Sequence, residues 1–200
     1  EMSASLVGSE MCIRDRYMSV LLRPSIPASE CMAVTACTAV AVAAAVEQIC
    51  GRRAEIKWVN DIMLDGKKLC GILTEGALSA ETGLFEYLVI GIGVNVASAG
   101  FPEELREVAA SMFGDVENPP RAAVAAAILN LLYDKLKMLP QRTFMEEYRA
   151  RSFVIGKEII MTDFAAGGAK SMARALDVDD DGGLIVETPD GVRKLHSGEV

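Results

Sequence analysis

The sequence predicts an α+β protein in which a β-sheet with flanking helices is followed by a small β-barrel. Residues 55–75 alternate polar and apolar side chains around an Asp-Gly pair, which is typical of a β-hairpin. Residues 30–50 are alanine-rich and apolar, which indicates a helix buried against a sheet. From residue 155 onward the apolar period changes to two between glycine-containing turns, which indicates the barrel.

Composition sets the broad limits on function. The 200 residues are 51% hydrophobic and 24% charged, which is enough for one domain and a small appendage. The net charge of −8 argues against a nucleic-acid surface, because phosphate binding requires clustered lysine and arginine. Five cysteines without a Cys-x-x-Cys pair and a single histidine support neither a zinc site nor a disulfide framework, so we expect a cytoplasmic protein.

The first sixteen residues do not fit the rest of the chain. They have no usable periodicity and lack the charged and apolar regions of a signal peptide. Residues 11–16 (Met-Cys-Ile-Arg-Asp-Arg) resemble the translation of a transposase adapter used in sequencing libraries. We interpret residues 1–16 as a non-native scar, with a native disordered tail as the alternative, and expect the native start to be missing.

The first native elements are a strand and a long helix. Residues 17–23 alternate as a strand does and are closed by Pro24 and Pro27. The helix over residues 30–50 carries glutamates near both ends, and its apolar stretch is short for a membrane span. We therefore expect a core helix and no membrane partner.

The hairpin at residues 55–75 has a turn signal at its centre. A type I′ turn needs positive φ at both central residues, which Asp65 and Gly66 tolerate. This turn places Leu64 opposite Lys67.

The same register carries a chemical prediction. It places Asp61 opposite Cys70 and makes Asp61 and Lys68 diagonal cross-strand neighbours, which long side chains can bridge. The predicted common face comprises Lys57, Val59, Asp61, Met63, Lys68, Cys70, Ile72 and Thr74. A solvated lysine–aspartate pair without function is the alternative.

A third strand is predicted over residues 85–96. Gly91 and Gly93 weaken a strand interior but let a ligand or another backbone approach closely. Asn95 then offers an amide with two donors and an acceptor, and a simple turn-forming asparagine is the alternative.

The remaining chain is predicted to form helices and then short strands. The helices are expected at residues 101–112, 121–139 and 143–153, and the strands at 155–162, 171–179, 184–188 and 192–196. The aspartates of residues 177–182 resemble a calcium loop, but the twelfth position is Thr188 and strands flank it, so a hairpin turn is expected.

Two motifs carry a family resemblance. Residues 57–61 (Lys-Trp-Val-Asn-Asp) and 67–75 (Lys-Lys-Leu-Cys-Gly-Ile-Leu-Thr-Glu) closely resemble a signature of biotin protein ligases. Residues 91–96 (Gly-Ile-Gly-Val-Asn-Val) resemble a later strand of the same family, in the same order and spacing. Val59 stands where the family usually has proline; the loss of proline is expected to loosen the bend and removes no reactive group.

The resemblance implies a fold and domain boundaries. Residues 17–153 would be the later part of a class II synthetase-like catalytic domain with a mixed sheet and flanking helices. Residues 154–200 would be a small SH3-like β-barrel, at the end of which His196 is a strand-end residue. The family's Gly-Arg-Gly-Arg-x-Gly-Arg loop has no match here, so we expect this fragment not to catalyse by itself.

The resemblance also implies an activity: ATP-dependent attachment of biotin, through biotinyl-5′-adenylate, to a lysine of the biotin carboxyl carrier domain of acetyl-CoA carboxylase. Lys68 would contact the biotin carboxyl and the phosphate, and Lys57 would be a second cation. Asp61 would hold Mg²⁺ or orient Lys68. The residues implied to bind biotin or ATP are Lys68, Gly71, Asn60 and Asn95, the last at the adenine ring.

Two other functions remain open at this point. One is a lipoate or octanoyl ligase-like acyltransferase, which shares the catalytic fold. The Lys-Trp-x-Asn-Asp motif and the predicted barrel favour a biotin ligase over it. The other is a non-catalytic, biotin-responsive regulator. A homodimer is left open, and DNA is expected as a partner only if an N-terminal DNA-binding domain precedes this sequence.

Overall fold

The computed structural model describes residues 2–6, 16–98, 100–163, 169–198 and 200. Strands in this part of the chain form two antiparallel sheets. The first sheet has the order β1-β2-β6-β5-β4-β3. Its strands are β1 (Met2–Leu6), β2 (Arg16–Leu22), β3 (Glu55–Lys57), β4 (Asp61–Leu64), β5 (Lys67–Leu78) and β6 (Phe85–Val94). The second sheet has the order β10-β9-β8-β7, and its strands are β7 (Glu158–Asp163), β8 (Ala169–Val178), β9 (Leu184–Thr188) and β10 (Gly191–Leu195).

Helices cover one face of the first sheet. They are α1 (Ala28–Cys31), α2 (Val34–Cys50), α3 (Arg121–Leu136) and α4 (Phe144–Ala150). Helix α2 lies on the sheet, and α3 and α4 pack against α2. Five of the six alanines of α2 are buried, and their small side chains let the helix approach the strands closely. The helix ends at Gly51, which has a φ of 70° and donates its N–H to the Glu47 carbonyl.

The apolar helix predicted for residues 30–50 is a core helix. By length and composition, Ala28–Cys50 could cross a membrane, but 72% of its most apolar window is buried inside the protein. The helix begins two residues earlier than predicted and is interrupted between α1 and α2 at Met32 and Ala33. Thr38 satisfies its buried hydroxyl by donating to the Val34 carbonyl one turn earlier.

The helix predicted for residues 101–112 is wrong. The segment contains only a 3₁₀ turn at Glu103–Leu105. Its backbone instead bonds to β5: the Lys68 N–H donates to the Val108 carbonyl at 2.8 Å, and the Ala110 N–H donates to the Lys68 carbonyl at 2.8 Å. These bonds satisfy the backbone groups that a helix would have satisfied internally.

The first sixteen residues include a strand that the sequence analysis did not assign. Strand β1 pairs antiparallel with β2 and forms an edge of the first sheet. Residues 7–15 lie outside the described residues. The origin of residues 1–16 as a non-native scar stays a prediction.

The α+β class is confirmed, with two differences of detail. In the described residues every ladder is antiparallel, and the parallel pairs are isolated bridges, Ile56 with Ser152 and Lys68 with Ala109. The four C-terminal strands are confirmed, but over residues 158–163 and 169–195 they form an open meander in which β7 and β10 are not paired. The predicted small SH3-like β-barrel carried no expectation of closure; a fully closed barrel would require these two edge strands to pair with each other.

The aspartate-rich segment at residues 177–182 forms a hairpin turn, as predicted. The Asp179 carboxylate accepts hydrogen bonds from the N–H groups of Asp181 at 3.0 Å and Gly183 at 2.9 Å. A carboxylate that bonds its own turn in this way replaces a backbone turn. Among the described residues no cluster of metal-ligating side chains is found here or elsewhere.

Candidate active site

The Asp-Gly turn is confirmed, but a β-bulge changes the register beyond it. Asp65 and Gly66 have φ values of 51° and 77°, and Leu64 lies opposite Lys67. The register then shifts by one residue, so Asp61 lies opposite Gly71 and not opposite Cys70. The prediction that Asp61 faces Cys70 is wrong because Leu69 is an extra residue in β5.

The bulge also changes which residues share a face. Cys70 and Ile72 were expected beside Asp61 but point into the core, where they are 1% and 2% exposed. Thr74 also faces α2, since Thr35 donates a hydroxyl hydrogen bond to it at 2.9 Å. Lys68 precedes the extra residue and therefore stays on the face of Asp61, as predicted.

Residues 55–64 were predicted as one strand and form two. Strand β3 ends at Lys57, the chain reverses through Trp58, Val59 and Asn60, and β4 begins at Asp61. The Trp58–Val59 peptide is cis. Strands β3 and β4 pair antiparallel across this reversal, with Lys57 as the direct cross-strand partner of Asp61. Asn60 and Asp61 favour turns and were the available sequence signal.

One cross-strand row organises the open face of the first sheet. Reading from β2 to β3, its members are Tyr17, Gly93, Gly71, Asp61 and Lys57. The second and third members are glycines, so this part of the row is bare backbone between an aromatic ring and a charged end. A Cβ on Gly93 would lie 3.0 Å from the Tyr17 ring, which shows that the ring lies close over this glycine.

A cleft of about 850 Å³ lies over this row, a size that suits a cofactor or small-molecule ligand. Residues 105–109 supply one wall, at the segment that is hydrogen-bonded to Lys68. Tyr17 and this wall were not predicted as parts of the site. No residue type in residues 105–109 signals a ligand, and only the contact with β5 places the segment here.

Lys68 and Asp61 form an ion pair at the charged end of the cleft. The Lys68 ammonium lies 2.7 Å from Asp61 Oδ1, and the two side chains are 50% and 22% exposed. Gly71 lies beneath the pair, since a Cβ there would be 3.5 Å from Lys68 Cε and 3.8 Å from Asp61 Oδ1. The side chain of Lys68 therefore runs across the glycine to reach Asp61, and the predicted proximity of the two charges is confirmed.

Lys57 adds a second cation to this end of the cleft. Within the described part of the chain, its ammonium has no carboxylate partner within 4 Å, although Asp61 is its backbone neighbour. Two ammonium groups and one carboxylate leave one net positive charge. The charged end is therefore suited to an anion, whereas the glycine floor is suited to an uncharged part of a ligand.

The two predicted asparagines line the cleft and also hold its walls. Asn60 donates its side-chain N–H to the Ile72 carbonyl at 2.6 Å. Asn95 donates to the Ala110 carbonyl at 3.1 Å. Each amide nitrogen therefore fixes a neighbouring segment, and ligand binding by either amide, or over Gly71, stays a prediction.

Cys70 neighbours the cleft, but its thiol points into the core and is not a nucleophile. Burial raises the pKa of its thiol well above the ordinary value, and the charge of Asp61 raises it further. The thiol is therefore protonated at neutral pH and behaves as a small apolar group.

Two family models match the chain. The model described as the biotin/lipoate A/B protein ligase family matches residues 13–95, and the model described as the biotin protein ligase C terminal domain matches residues 154–200. The first match defines the class, that of the biotin and lipoate protein ligases. The second match distinguishes the biotin branch of that class from the lipoate branch.

Individual relatives agree with this class. The chain is 30% identical over 194 residues to a biotin–[acetyl-CoA-carboxylase] ligase of Paracoccus denitrificans, covering 91% of this chain and 78% of the relative. It is 34% identical over 197 residues to the bifunctional ligase/repressor BirA of Bacillus subtilis, covering 92% of this chain. The chain belongs to the biotin protein ligase family, and it spans 57% of the length of that Bacillus relative.

Solved structures show the same fold. The biotin protein ligase of Aquifex aeolicus in complex with biotin and ATP superposes with a TM-score of 0.74 at 25% identity, covering 93% of this chain and 77% of that one. The biotin protein ligase of Leishmania major in complex with biotinyl-5-AMP gives a TM-score of 0.59 at 22% identity, covering 98% and 88%.

Proposed function

We propose that the protein containing this chain attaches biotin to a lysine of the biotin carboxyl carrier domain of acetyl-CoA carboxylase, with biotinyl-5′-adenylate as the intermediate. One observation carries this proposal. The Lys68–Asp61 ion pair and Lys57 stand together at one end of a cleft whose floor is bare backbone.

The first step is the one that this geometry serves. A biotin carboxylate oxygen forms a bond to the α-phosphorus of ATP, and the bond to the β-phosphate oxygen breaks to release pyrophosphate. Two anions must meet in this step, so fixed cations lower its barrier by neutralising the approach and the charge that develops on phosphorus. Lys68 is held in place by Asp61 and by its own backbone bonds to residues 108 and 110, and Lys57 adds the second cation.

The uncharged parts of the two substrates take the rest of the cleft. The glycine floor at Gly71 and Gly93 lets a ligand approach the backbone, so a flexible acid can place its carboxylate beside Lys68. We assign the adenine ring to Asn95, whose amide lines the same cleft. In the second step the carrier lysine nitrogen bonds to the acyl carbon and AMP leaves, with no base assigned.

Asp61 fits the role of a single protein ligand for magnesium. Its Oδ1 is paired with Lys68, and Mg²⁺ commonly takes only one or two carboxylates together with phosphate oxygens and water. When bound beside Asp61, magnesium would neutralise charge on the phosphates of ATP. The described residues offer no cluster of three metal-ligating side chains, so the nucleotide would supply most of the oxygen ligands.

We place this reaction in the cytoplasm. The cysteines of the described segments, Cys31, Cys37, Cys50 and Cys70, are all free thiols. Free and mostly buried thiols are typical of proteins that work in a reducing compartment.

The proposal is tested with Lys68→Ala in the full-length protein. Removing one such electrostatic group typically costs on the order of 10²–10³ in rate, so pyrophosphate release with biotin and ATP is expected to fall by that factor. Lys67→Ala is the matched control, because the Lys67 ammonium bonds to the Arg106 carbonyl at 2.6 Å and does not touch Asp61.

Three outcomes would contradict the proposal. Near-normal pyrophosphate release by Lys68→Ala would remove Lys68 from the catalytic residues. Release driven by lipoate or octanoate in preference to biotin would favour the related acyltransferases. Biotin binding by the wild-type protein without pyrophosphate release would favour a non-catalytic regulator.

A further inference from the structure

The chain reversal at residues 58–60 is held by the C-terminal sheet. Trp58 is the single tryptophan of the chain, and it is 3% exposed. Its indole N–H donates to the Gly182 carbonyl at 2.8 Å, a contact between residues 124 positions apart. Because Lys57 precedes Trp58 directly, this bond connects the second sheet to the charged end of the cleft.

Residues 177–183, here called the acidic turn, present this carbonyl in a fixed direction. The Asp179 carboxylate accepts the N–H groups of Asp181 and Gly183, and the Gly182 N–H donates to the Asp179 carbonyl at 3.0 Å. Lys194 of β10 also forms an ion pair with Asp179. The orientation of the Gly182 carbonyl is therefore set within the C-terminal sheet.

Two arginines from the segment before the C-terminal sheet hold the acidic turn in place. Arg149 of α4 donates from Nε to the Val178 carbonyl at 2.6 Å and forms an ion pair with Asp180. Arg142 donates to the Asp180 carbonyl at 2.7 Å and to the Ser29 carbonyl at 2.9 Å. The turn is thus held on the helical layer by charge-assisted bonds, which are stronger than neutral ones.

Each residue of the chain reversal is held by a different part of the protein. Tyr148 of α4 donates its hydroxyl to the Val59 carbonyl at 3.2 Å. Asn60 donates to the Ile72 carbonyl in β5. The indole bond of Trp58 is the contribution of the acidic turn.

We propose that the acidic turn positions the charged end of the cleft and that Trp58 is the positioning residue through which it acts. The Gly182 carbonyl holds the indole, the indole holds the start of the reversal, and the reversal sets where Lys57 and Asp61 stand. This inference rests on the proposed function and adds a role of the C-terminal domain in the first step. Displacing a charged group by about 1 Å costs up to about 10²-fold in rate.

Trp58→Phe removes the indole N–H and keeps a smaller aromatic ring at this position. In the full-length protein, kcat for pyrophosphate release is expected to fall about tenfold, with KM for ATP and for biotin changed by less than about twofold. Thr188→Val is the matched control, since it removes a side chain–backbone bond of 2.9 Å to the Gly191 carbonyl in the next turn of the same sheet. It is expected to leave both constants unchanged.

Arg149→Ala tests whether the acidic turn acts through Trp58. If both residues belong to one path, the double variant Trp58→Phe, Arg149→Ala should lose no more than the worse single variant. If the two substitutions acted independently, their fold losses in kcat would instead multiply. A multiplied loss in the double variant would overturn the proposal, as would a Trp58→Phe variant with wild-type kcat.

Fluorescence gives a readout that does not depend on catalysis. In the 200-residue chain all tryptophan emission comes from Trp58. In Arg149→Ala, with an unchanged circular dichroism spectrum, we expect emission to move to longer wavelength as the turn detaches and water reaches the indole. Unchanged emission in Arg149→Ala would overturn the proposal. If the emission of Arg149→Ala shifts but the wild-type protein releases no pyrophosphate, only the proposed function is contradicted.

Discussion

The two turns on either side of β4 are built in different ways. The Asp65–Gly66 turn places both central residues at positive φ, and these residue types tolerate that conformation by themselves. The reversal at residues 58–60 is held by bonds to Gly182, Tyr148 and Ile72, which lie 124, 89 and 12 positions away. The first turn therefore makes a hairpin, and the second places the charges of the site.

The largest stability effect is expected at the turn that depends on distant contacts. Asn60→Ala removes the donor to the Ile72 carbonyl, which is partly buried, and should lower the free energy of unfolding by about 2 kcal/mol. Urea denaturation measures this difference. Ser79→Ala, which removes an exposed turn bond, is the control and should cost less than about 0.5 kcal/mol. A similarly small value for Asn60→Ala would show that the reversal is local after all.

The local turn should respond to backbone conformation alone. Gly66→Ala should cost about 1–2 kcal/mol, because Gly66 has a φ of 77° and nothing lies within 4 Å of a Cβ there. Gly66→Asn is the matched variant, since asparagine is tolerated in the left-handed region, and it should recover part of the loss. Equal costs for both variants would mean that contacts and not φ determine this turn.

Tyr148→Phe removes one neutral hydrogen bond between the reversal and a residue that is distant in sequence. The ring, which is 1% exposed, stays packed, while the Val59 carbonyl loses its donor, so a loss of about 1 kcal/mol is expected. Tyr133→Phe, at an exposed tyrosine, is the control and should be nearly neutral in thermal unfolding. No difference between the two variants would remove Tyr148 from the contacts that hold the reversal.

The smallest effect is a pH dependence at the acidic turn. Burial alone would raise the pKa of Asp179, but the Lys194 ammonium and the Gly183 and Asp181 N–H groups outweigh it and hold that pKa below its ordinary value. The charged carboxylate therefore stabilises the folded state above about pH 4, and this contribution is lost as the pH falls through the lowered pKa.

Asp179→Asn should accordingly flatten the fall of the melting temperature between about pH 4 and pH 2. Asp190→Asn, at an exposed carboxyl in the turn between β9 and β10, provides the comparison. If the melting temperature of Asp179→Asn falls as steeply with pH as that of the wild-type protein, other carboxyl groups determine the loss of stability in this pH range.

Several elements were predictable because their signals are local. The Asp-Gly turn, the core helix, the strand with Gly91 and Gly93, and the four C-terminal strands depend on residue type and periodicity. The proximity of Lys68 and Asp61 followed from the predicted hairpin. The family resemblance was carried by the motifs of this hairpin and of residues 91–96.

Other features had no local signal. Alternation does not reveal a bulge, so the extra residue Leu69 moved Cys70 into the core. The acidic start of residues 101–112 favoured a helix, but bonds to β5 produced a wall of the cleft instead. The open edges of the C-terminal sheet likewise depend on how strands meet in space.

The amino-acid sequence by itself determined the charged residues, the glycines between them and the turn that brings Lys68 to Asp61. These depend on backbone preferences within a few positions. Only the tertiary structure decided that Lys57 stands opposite Asp61 and that Trp58 bonds to Gly182. The physical reason is that these contacts join backbone and side-chain groups that only packing brings together, and no residue type specifies its distant partner.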